Sequence, residues 1–209
     1  MSNAEPVGEQ RRTTNHHSLL MPLQHSEMVD LGTDAPFFKL LNVMNGQTVA
    51  LSDFRPDKPL VVIFSCNHCP YVLFIQTQLC ELAKKYQSQG CNFVLISSND
   101  IDKYPQDAPE LMREFAQSYN FSFPYLYDET QSVARAYRAA CTPDIYVYDK
   151  IDNNNRKLAY RGQFCPARPS NGLIPNGQDL AAALTALLNN ETVNSRQYPS
   201  AGCSIKWKE

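Results

Sequence analysis

The residue types best suited to chemistry in this chain stand together in one segment, Cys66-Asn67-His68-Cys69. Two cysteines separated by two residues can close a small disulfide ring. The segment follows an apolar run, Leu60–Phe64, and precedes Pro70 and a long amphipathic stretch. These neighbours place it at a strand-to-helix junction, where the helix N-terminus stabilises a thiolate. The pattern indicates redox chemistry, and by itself it also leaves metal binding open.

His68 lies inside the ring between the two cysteines. If it is protonated beside a thiolate, it lowers the pKa of that thiol; if it is an exposed polar residue, it has little influence. The sequence leaves both alternatives open. The segment also offers ligands for a soft metal ion, but a structural zinc site needs a second pair of ligands at similar spacing. The other five cysteines are isolated from one another, so we expect no metal and no cofactor.

The segments around the ring form the scaffold that must position it. Apolar runs of strand length alternate with stretches whose apolar residues recur at steps of three and four, which is one face of a helix. Strands are predicted at 60–65, 92–97, 125–127, 145–148 and 157–160, and helices at about 72–86, 108–119, 132–137 and 177–188. Two further runs, 37–41 and 48–51, flank Asn45-Gly46-Gln47 as in a β-hairpin. This order predicts an α/β domain with a mixed central sheet flanked by helices and an N-terminal β-hairpin.

Length and composition limit the domain count and the classes of partner. The 209 residues suit one domain, which we place at 28–209, while the polar residues 1–27 are expected to form a mobile N-terminal arm. The formal net charge of −2 gives no reason to expect nucleic acid or a membrane surface as a partner. No apolar stretch is long enough for a membrane span or a signal peptide, so we expect a cytoplasmic protein. The seven cysteines fit a reducing compartment with one redox pair.

Five segments in order carry a resemblance to a known family. They are Phe64–Val72, Ile96–Asp100, Phe123–Glu129, Cys141–Asp144 and Gly202–Trp207. Together they are similar to the peroxiredoxin-like thioredoxin-family proteins of the redoxin group, relatives of alkyl hydroperoxide reductase and thiol-specific antioxidant proteins. The match runs from about residue 28 to the C-terminus, and it implies a thioredoxin-like fold.

The resemblance assigns roles to several residues. It implies that Cys66 is the attacking thiolate and Cys69 the resolving thiol of a thiol–disulfide oxidoreductase. It makes Pro143 a cis-proline facing the pair, and Thr142 a backbone partner for an extended substrate; without the resemblance, an ordinary trans proline that opens a strand is expected. The predicted substrate-binding residues are Thr142, Pro143, Asn67 and His68. The expected partner is a protein or small-molecule disulfide or thiol, with peroxide as a further candidate.

Peroxide reduction is the first alternative function. The resemblance implies a Thr-x-x-Cys-Pro motif for peroxiredoxins, and here Cys69-Pro70 matches its end while Cys66 occupies the threonine position. Peroxiredoxins also use an arginine near the cysteine. Arg138 and Arg161 are candidates, but each is expected to be a surface charge. The departures favour thiol–disulfide exchange, and a non-enzymatic redox-sensing or metal-binding module is the second alternative.

The remaining cysteines are assigned from their positions in the predicted elements. Cys80 and Cys91 are expected to be small core side chains. Cys141 stands next to the predicted cis-proline and could approach the pair. Cys165 and Cys203, in loops or the tail, could serve as additional resolving thiols, although burial or inert exposure is the favoured expectation.

Overall fold

The structure is a computed structural model that describes residues 23–150 and 155–209. Within these residues it contains the strands and helices expected of a mixed α/β domain. The strands are β1 Leu23–His25, β2 Lys39–Asn42, β3 Thr48–Ala50, β4 Leu60–Phe64, β5 Asn92–Ser97, β6 Tyr125–Tyr127, β7 Cys141–Thr142, β8 Asp144–Tyr148, β9 Leu158–Gly162 and β10 Ala201–Ser204. The helices are α1 Pro70–Gln87, α2 Pro109–Ser118, α3 Ser132–Tyr137 and α4 Gln178–Leu188.

Seven of these strands form the central sheet, in the order β3-β2-β6-β5-β4-β8-β9. Strand β4 pairs with β5 in parallel and with β8 in antiparallel orientation, so the sheet is mixed as predicted. The predicted hairpin is present as β2 and β3, with Leu40 opposite Val49. The predicted run at 157–160 is β9, antiparallel to β8; most of the polar turn before it, 151–154, lies outside the described residues.

Apolar side chains cover both faces of strand β4. Val61 and Ile63 belong to one buried cluster, which contains residues of α1, α2 and α4. Leu60, Val62 and Phe64 belong to a second cluster, on the side of α3. All five β4 side chains are buried, which explains why this strand is continuously apolar instead of alternating. The C-terminal end of β4, and the cysteines that follow it, therefore lie in the packed interior.

A second sheet of three strands, in the order β1-β10-β7, corrects two boundaries expected from the sequence. Leu23–His25 pair with β10 instead of belonging to the N-terminal arm, while residues 1–22 lie outside the described part of the chain. The final segment, expected to be a polar tail, contributes β10. Both strands are too short to show an alternating pattern, and backbone pairing with distant segments defines them.

Gly202 explains how closely β10 approaches β7. A Cβ atom at this position would collide with the carbonyl oxygen of Thr142, so only glycine fits the observed separation. No helix in the described ranges is both long and apolar enough to cross a bilayer.

Candidate active site

The two cysteines of the ring lie at the junction of β4 and α1, as the sequence predicts. Cys69 is the residue that caps α1, and Pro70 occupies its first turn, where a missing N–H costs nothing. Cys66 and Cys69 are 1% and 0% exposed. This pair is therefore enclosed within the protein.

Thr142 contacts both cysteines. Its hydroxyl Oγ1 is 3.4 Å from the sulfur of Cys66, and its carbonyl oxygen is 3.1 Å from the sulfur of Cys69. The peptide bond between Thr142 and Pro143 is cis, as the resemblance implies. One residue of the β7–β8 segment thus positions both sulfurs.

A third cysteine completes the cluster. Cys203 of β10 lies opposite Thr142 in the strand pairing, and its sulfur is 2.8 Å from the sulfur of Cys69. Cys203 is buried, and it belongs with Cys66, Cys69 and Val72 to a small separate apolar cluster. We call Cys66, Cys69 and Cys203 the sulfur cluster.

The negative charge of the sulfur cluster is stabilised on Cys69. Hydrogen bonds from the Cys203 thiol and then from the Cys66 thiol, with the backbone N–H groups of Cys203 and Val72, hold the pKa of Cys69 far below its usual value. The Thr142 carbonyl opposes this shift because it can only accept a hydrogen bond. Among the three thiols of the sulfur cluster, the pKa of Cys69 alone is lowered.

Cys66 behaves differently from the low-pKa attacking thiol suggested by its place before a helix. Burial raises the pKa of Cys66 well above its usual value, and the charges of Asp107 and Cys69 add to the effect. The helix N-terminus favours the cysteine that caps the helix, which is Cys69. Cys203 likewise has a raised pKa, chiefly because its thiol donates to Cys69.

His68 forms a close contact with a buried carboxylate that the sequence did not single out. Nδ1 of His68 lies 2.8 Å from Oδ2 of Asp107, whose side chain is fully buried. The imidazole stacks against Tyr104, with ring centroids 5.7 Å apart and planes 8° from parallel. With 16% of its side chain exposed, His68 is partly accessible to solvent.

Asn67 is held in place by contacts within the protein. Its backbone N–H donates to Asp107, its side-chain amide donates to the carbonyl of Gln106, and its amide oxygen accepts from the hydroxyl of Tyr125. These bonds fix the loop between the two cysteines. The substrate-binding role given to Asn67 stays a prediction.

The described residues also contain one group of candidate metal ligands. One ligand atom each of Cys66, His68 and Asp107 lie within 4.8 Å of one another. A closed structural zinc site has four ligands, and both oxygens of Asp107 already accept hydrogen bonds, from Asn67 and from Asn99. The arrangement is suited better to holding His68 than to binding an ion.

Two members of the site were not assigned to it from the sequence. Asp107 lies in a short helical turn, Pro105–Asp107, that follows β5, and the carboxyl ends of parallel strands are where α/β sites form. That position was a usable signal. Cys203 was considered only as a possible additional resolving thiol, with burial or inert exposure favoured, because it reaches Cys69 through strand pairing across 134 positions of sequence.

The arginines proposed for a peroxidase site lie elsewhere. Arg138 is exposed and forms an ion pair with Glu27, as expected of a surface charge. Arg161 was expected at the surface and is instead fully buried, where it lies 3.3 Å from Asp144 and over the ring of Tyr146. The pairing with Asp144 is what permits a guanidinium in the interior. Arg161 is thus a component of the core.

The other cysteines occupy the interior. Cys91 is buried in the main apolar cluster, and the half-buried Cys80 packs against it, as predicted. Cys141 is buried with its sulfur 3.5 Å from the carbonyl of Pro143, and Cys165 is buried as well.

Comparison with protein families matches residues 31–164, more than half of the chain, to the AhpC/TSA family. The chain belongs to this family. Among solved structures, an uncharacterized conserved protein from Geobacillus kaustophilus is 49% identical, with a TM-score of 0.86, over 90% of this chain and 97% of its own. A hypothetical protein from Sinorhizobium meliloti 1021 is 42% identical, with a TM-score of 0.84, over 88% of this chain and 98% of its own.

A more distant neighbour supports the fold. A secreted disulfide oxidoreductase from Mycobacterium tuberculosis is 19% identical to this AhpC/TSA family member, with a TM-score of 0.54, over 72% of this chain and 96% of its own. The predicted thioredoxin-like fold is confirmed. Among curated proteins, none is detectably similar to this chain.

Proposed function

We propose that this AhpC/TSA family member is a thiol–disulfide oxidoreductase in which Cys66 attacks a substrate disulfide and Cys69 resolves the product. The observation that carries the proposal is the arrangement around Thr142, whose two oxygen atoms contact the sulfurs of Cys66 and Cys69. Both thiols are thereby aligned beside the same short backbone segment. Thr142 is buried and paired with β10, so a substrate chain can pair with this segment only after the site opens.

The proposed exchange runs in two steps. Cys66 attacks one substrate sulfur and forms a mixed disulfide, and the other substrate sulfur leaves and takes up the proton that Cys66 loses. The Cys69 thiolate then attacks the sulfur of Cys66, and the second substrate sulfur leaves. The substrate disulfide is reduced by two electrons and the cysteine pair is oxidised by two.

Access to Cys66 is part of the same proposal, because this residue is 1% exposed. The neighbouring His68 is partly exposed and stacks on Tyr104. We assign the cover over Cys66 to this pair of rings, which must separate before a substrate sulfur reaches the thiol. The buried resting state protects the thiols from unselective reaction.

Turnover of a protein disulfide and of a small disulfide tests the proposal. Reduced protein is assayed with insulin and with oxidised glutathione, using dithiothreitol as the electron donor. Cys66→Ser and Cys69→Ser are each expected to abolish turnover. Cys80→Ser is the matched control. Cys80 lies in α1, the helix that Cys69 caps, but outside the sulfur cluster, so this variant should retain full activity. Full turnover in Cys66→Ser would overturn the proposal.

Peroxide reduction is assayed alongside disulfide turnover, because Cys69 is the cysteine whose pKa is lowered. A peroxidase needs that thiolate to meet peroxide, and Cys69 is 0% exposed. Arg161 is engaged with Asp144. We therefore expect slow consumption of hydrogen peroxide. Rapid consumption that depends on Cys69 and persists in Cys66→Ser would favour the peroxidase instead.

A further inference from the structure

The contact between Cys69 and Cys203 is not needed for a two-cysteine exchange. A reaction confined to Cys66 and Cys69 requires one resolving thiol, and that role is filled. Cys203 nevertheless lies 2.8 Å from Cys69, nearer than the Thr142 carbonyl oxygen at 3.1 Å. A third thiol this close to the central sulfur calls for a chemical role.

The backbone holds Cys203 in this position from both sides. In the strand pairing of β10, Cys203 is opposite Leu23 of β1 and opposite Thr142 of β7. The preceding Gly202 lets β10 lie against the Thr142 carbonyl, where any side chain would collide. The contact is therefore a consequence of main-chain geometry, and it does not depend on the rotamer of one surface side chain.

We propose that Cys203 is a second disulfide partner of Cys69, so that the oxidised protein transfers its disulfide from Cys66–Cys69 to Cys69–Cys203. This inference rests on the proposed function for the origin of the first disulfide. It adds a third thiol to the reaction and an internal oxidised state.

The transfer balances without any outside reagent. The thiolate of Cys203 attacks the sulfur of Cys69, the Cys66–Cys69 bond breaks, and the Cys69–Cys203 bond forms. Cys66 leaves as a thiolate and takes the proton that Cys203 has lost. The oxidation level of the protein does not change. Cys66 becomes a free thiol again, and the disulfide lies between two buried sulfurs.

Cys69 lies between its two exchange partners. Its sulfur is hydrogen-bonded to the side chains of both Cys66 and Cys203. Cys141, the other nearby cysteine, has a different contact, since its sulfur faces the carbonyl of Pro143. Cys141 therefore provides a matched control at a neighbouring buried position.

Tryptic peptides distinguish the two disulfides directly. Cleavage after lysine and arginine, except before proline, leaves Cys66, Cys69 and Cys80 together in residues 40–84 and puts Cys203 in residues 197–206. Reduced protein is oxidised with one equivalent of oxidised glutathione, quenched in acid, blocked with N-ethylmaleimide under denaturing conditions and mapped by mass spectrometry. We expect a cross-linked pair of these peptides in the wild type and in Cys141→Ser.

Single variants then assign the bond. Cys66→Ser should keep the cross-linked peptides, because Cys69 and Cys203 remain, whereas Cys69→Ser and Cys203→Ser should lose them. Oxidised Cys203→Ser should also be reduced by dithiothreitol faster than the oxidised wild type, because its disulfide stays at Cys66. Absence of the cross-link in both the wild type and Cys66→Ser would overturn the inference.

The outcomes also separate this inference from the proposed function. If turnover of insulin requires Cys66 and Cys69 but no cross-link to 197–206 forms, the inference fails and the proposed function stands. If the cross-link forms while turnover is absent or independent of Cys66, the proposed function fails and the Cys69–Cys203 pair stands as a redox site of its own.

Discussion

Two buried polar clusters involve the residues that flank Pro143 in sequence, Thr142 and Asp144, and the two clusters stabilise buried charge in different ways. On one side, the sulfur cluster holds its negative charge by hydrogen bonds from neutral thiols and backbone N–H groups. On the other, Asp144 faces the guanidinium of Arg161 at 3.3 Å and accepts the N–H of Ala140 at 3.0 Å. We call Asp144 and Arg161 the buried ion pair.

The difference separates a reactive site from a structural one. In the proposed exchange, Cys66, Cys69 and Cys203 each act as the nucleophile in turn. The ion pair is balanced by a fixed cation that packs over Tyr146 at 4.5 Å, and Arg161 does not exchange its proton. The first arrangement favours chemistry, and the second holds β8 and β9 together. Removing one member of each cluster should therefore have opposite consequences.

The largest effect is expected from Cys66→Ser in the sulfur cluster. Loss of the attacking sulfur should lower disulfide turnover by at least about 1000-fold. The free energy of unfolding should change little, because serine is similar in size and can still contact Thr142. Insulin reduction and urea denaturation of the same preparation measure both quantities. A large loss of stability together with substantial remaining turnover would contradict the reactive role given to Cys66.

Arg161→Met in the buried ion pair should give the opposite result. Methionine leaves the Asp144 carboxylate without its cation, so the free energy of unfolding at pH 8 should fall by about 3 kcal/mol. At pH 5 the loss should be smaller, because the unpaired carboxyl takes up a proton and becomes neutral. Urea denaturation at the two pH values checks this, and turnover of the folded variant should stay near the wild-type value. Equal losses at both pH values would contradict the role given to Asp144.

The wild type should itself show a pH dependence from Asp144. Burial raises the pKa of Asp144 to about 6, although Arg161 opposes the shift. Because the folded protein binds this proton more tightly than the unfolded chain does, the group favours folding at low pH. Its contribution should decline by about 2 kcal/mol as pH rises from about 4 to about 6. Comparing the unfolding of wild type and Asp144→Asn across this range isolates it, since the variant should lack this decline.

The smallest effect concerns the cover over Cys66. Tyr104→Ala removes the ring stacked on His68, an interaction of about 1 kcal/mol, so Cys66 should react about fivefold faster with a maleimide. Tyr198→Ala is the control, since that ring is exposed and lies against the guanidinium of Arg196. Mass spectrometry measures the rate at which the maleimide modifies Cys66 in each variant. An unchanged rate would show that another group covers Cys66.

The sequence predicted the parts of the site that depend on local pattern. The apolar run of β4, the capping position of Cys69 and the helix that begins at Pro70 could all be identified from neighbouring residues. Thr142 and Pro143 could be assigned only through the family resemblance. These predictions agree with the central sheet and with the placement of both cysteines.

Features set by distant contacts escaped the sequence analysis. Arg161 looks like a surface residue until Asp144 is brought beside it by the pairing of β8 and β9. Cys203 looks like part of a polar tail until β10 pairs with β7. The pKa of Cys66 depends on burial and on Asp107, neither of which is visible in the spacing of two cysteines.

The pairing of β10 also has a consequence for how the protein acquires its reactivity during folding. Contacts between residues as far apart as Cys69 and Cys203, 134 positions in sequence, require the closure of long loops and slow folding. Until β10 reaches β7, Cys69 lacks its strongest hydrogen-bond donor and keeps a more ordinary thiol pKa. The lowered pKa of this sulfur therefore depends on the pairing of β10 with β7, a contact that exists only once the tertiary structure has formed.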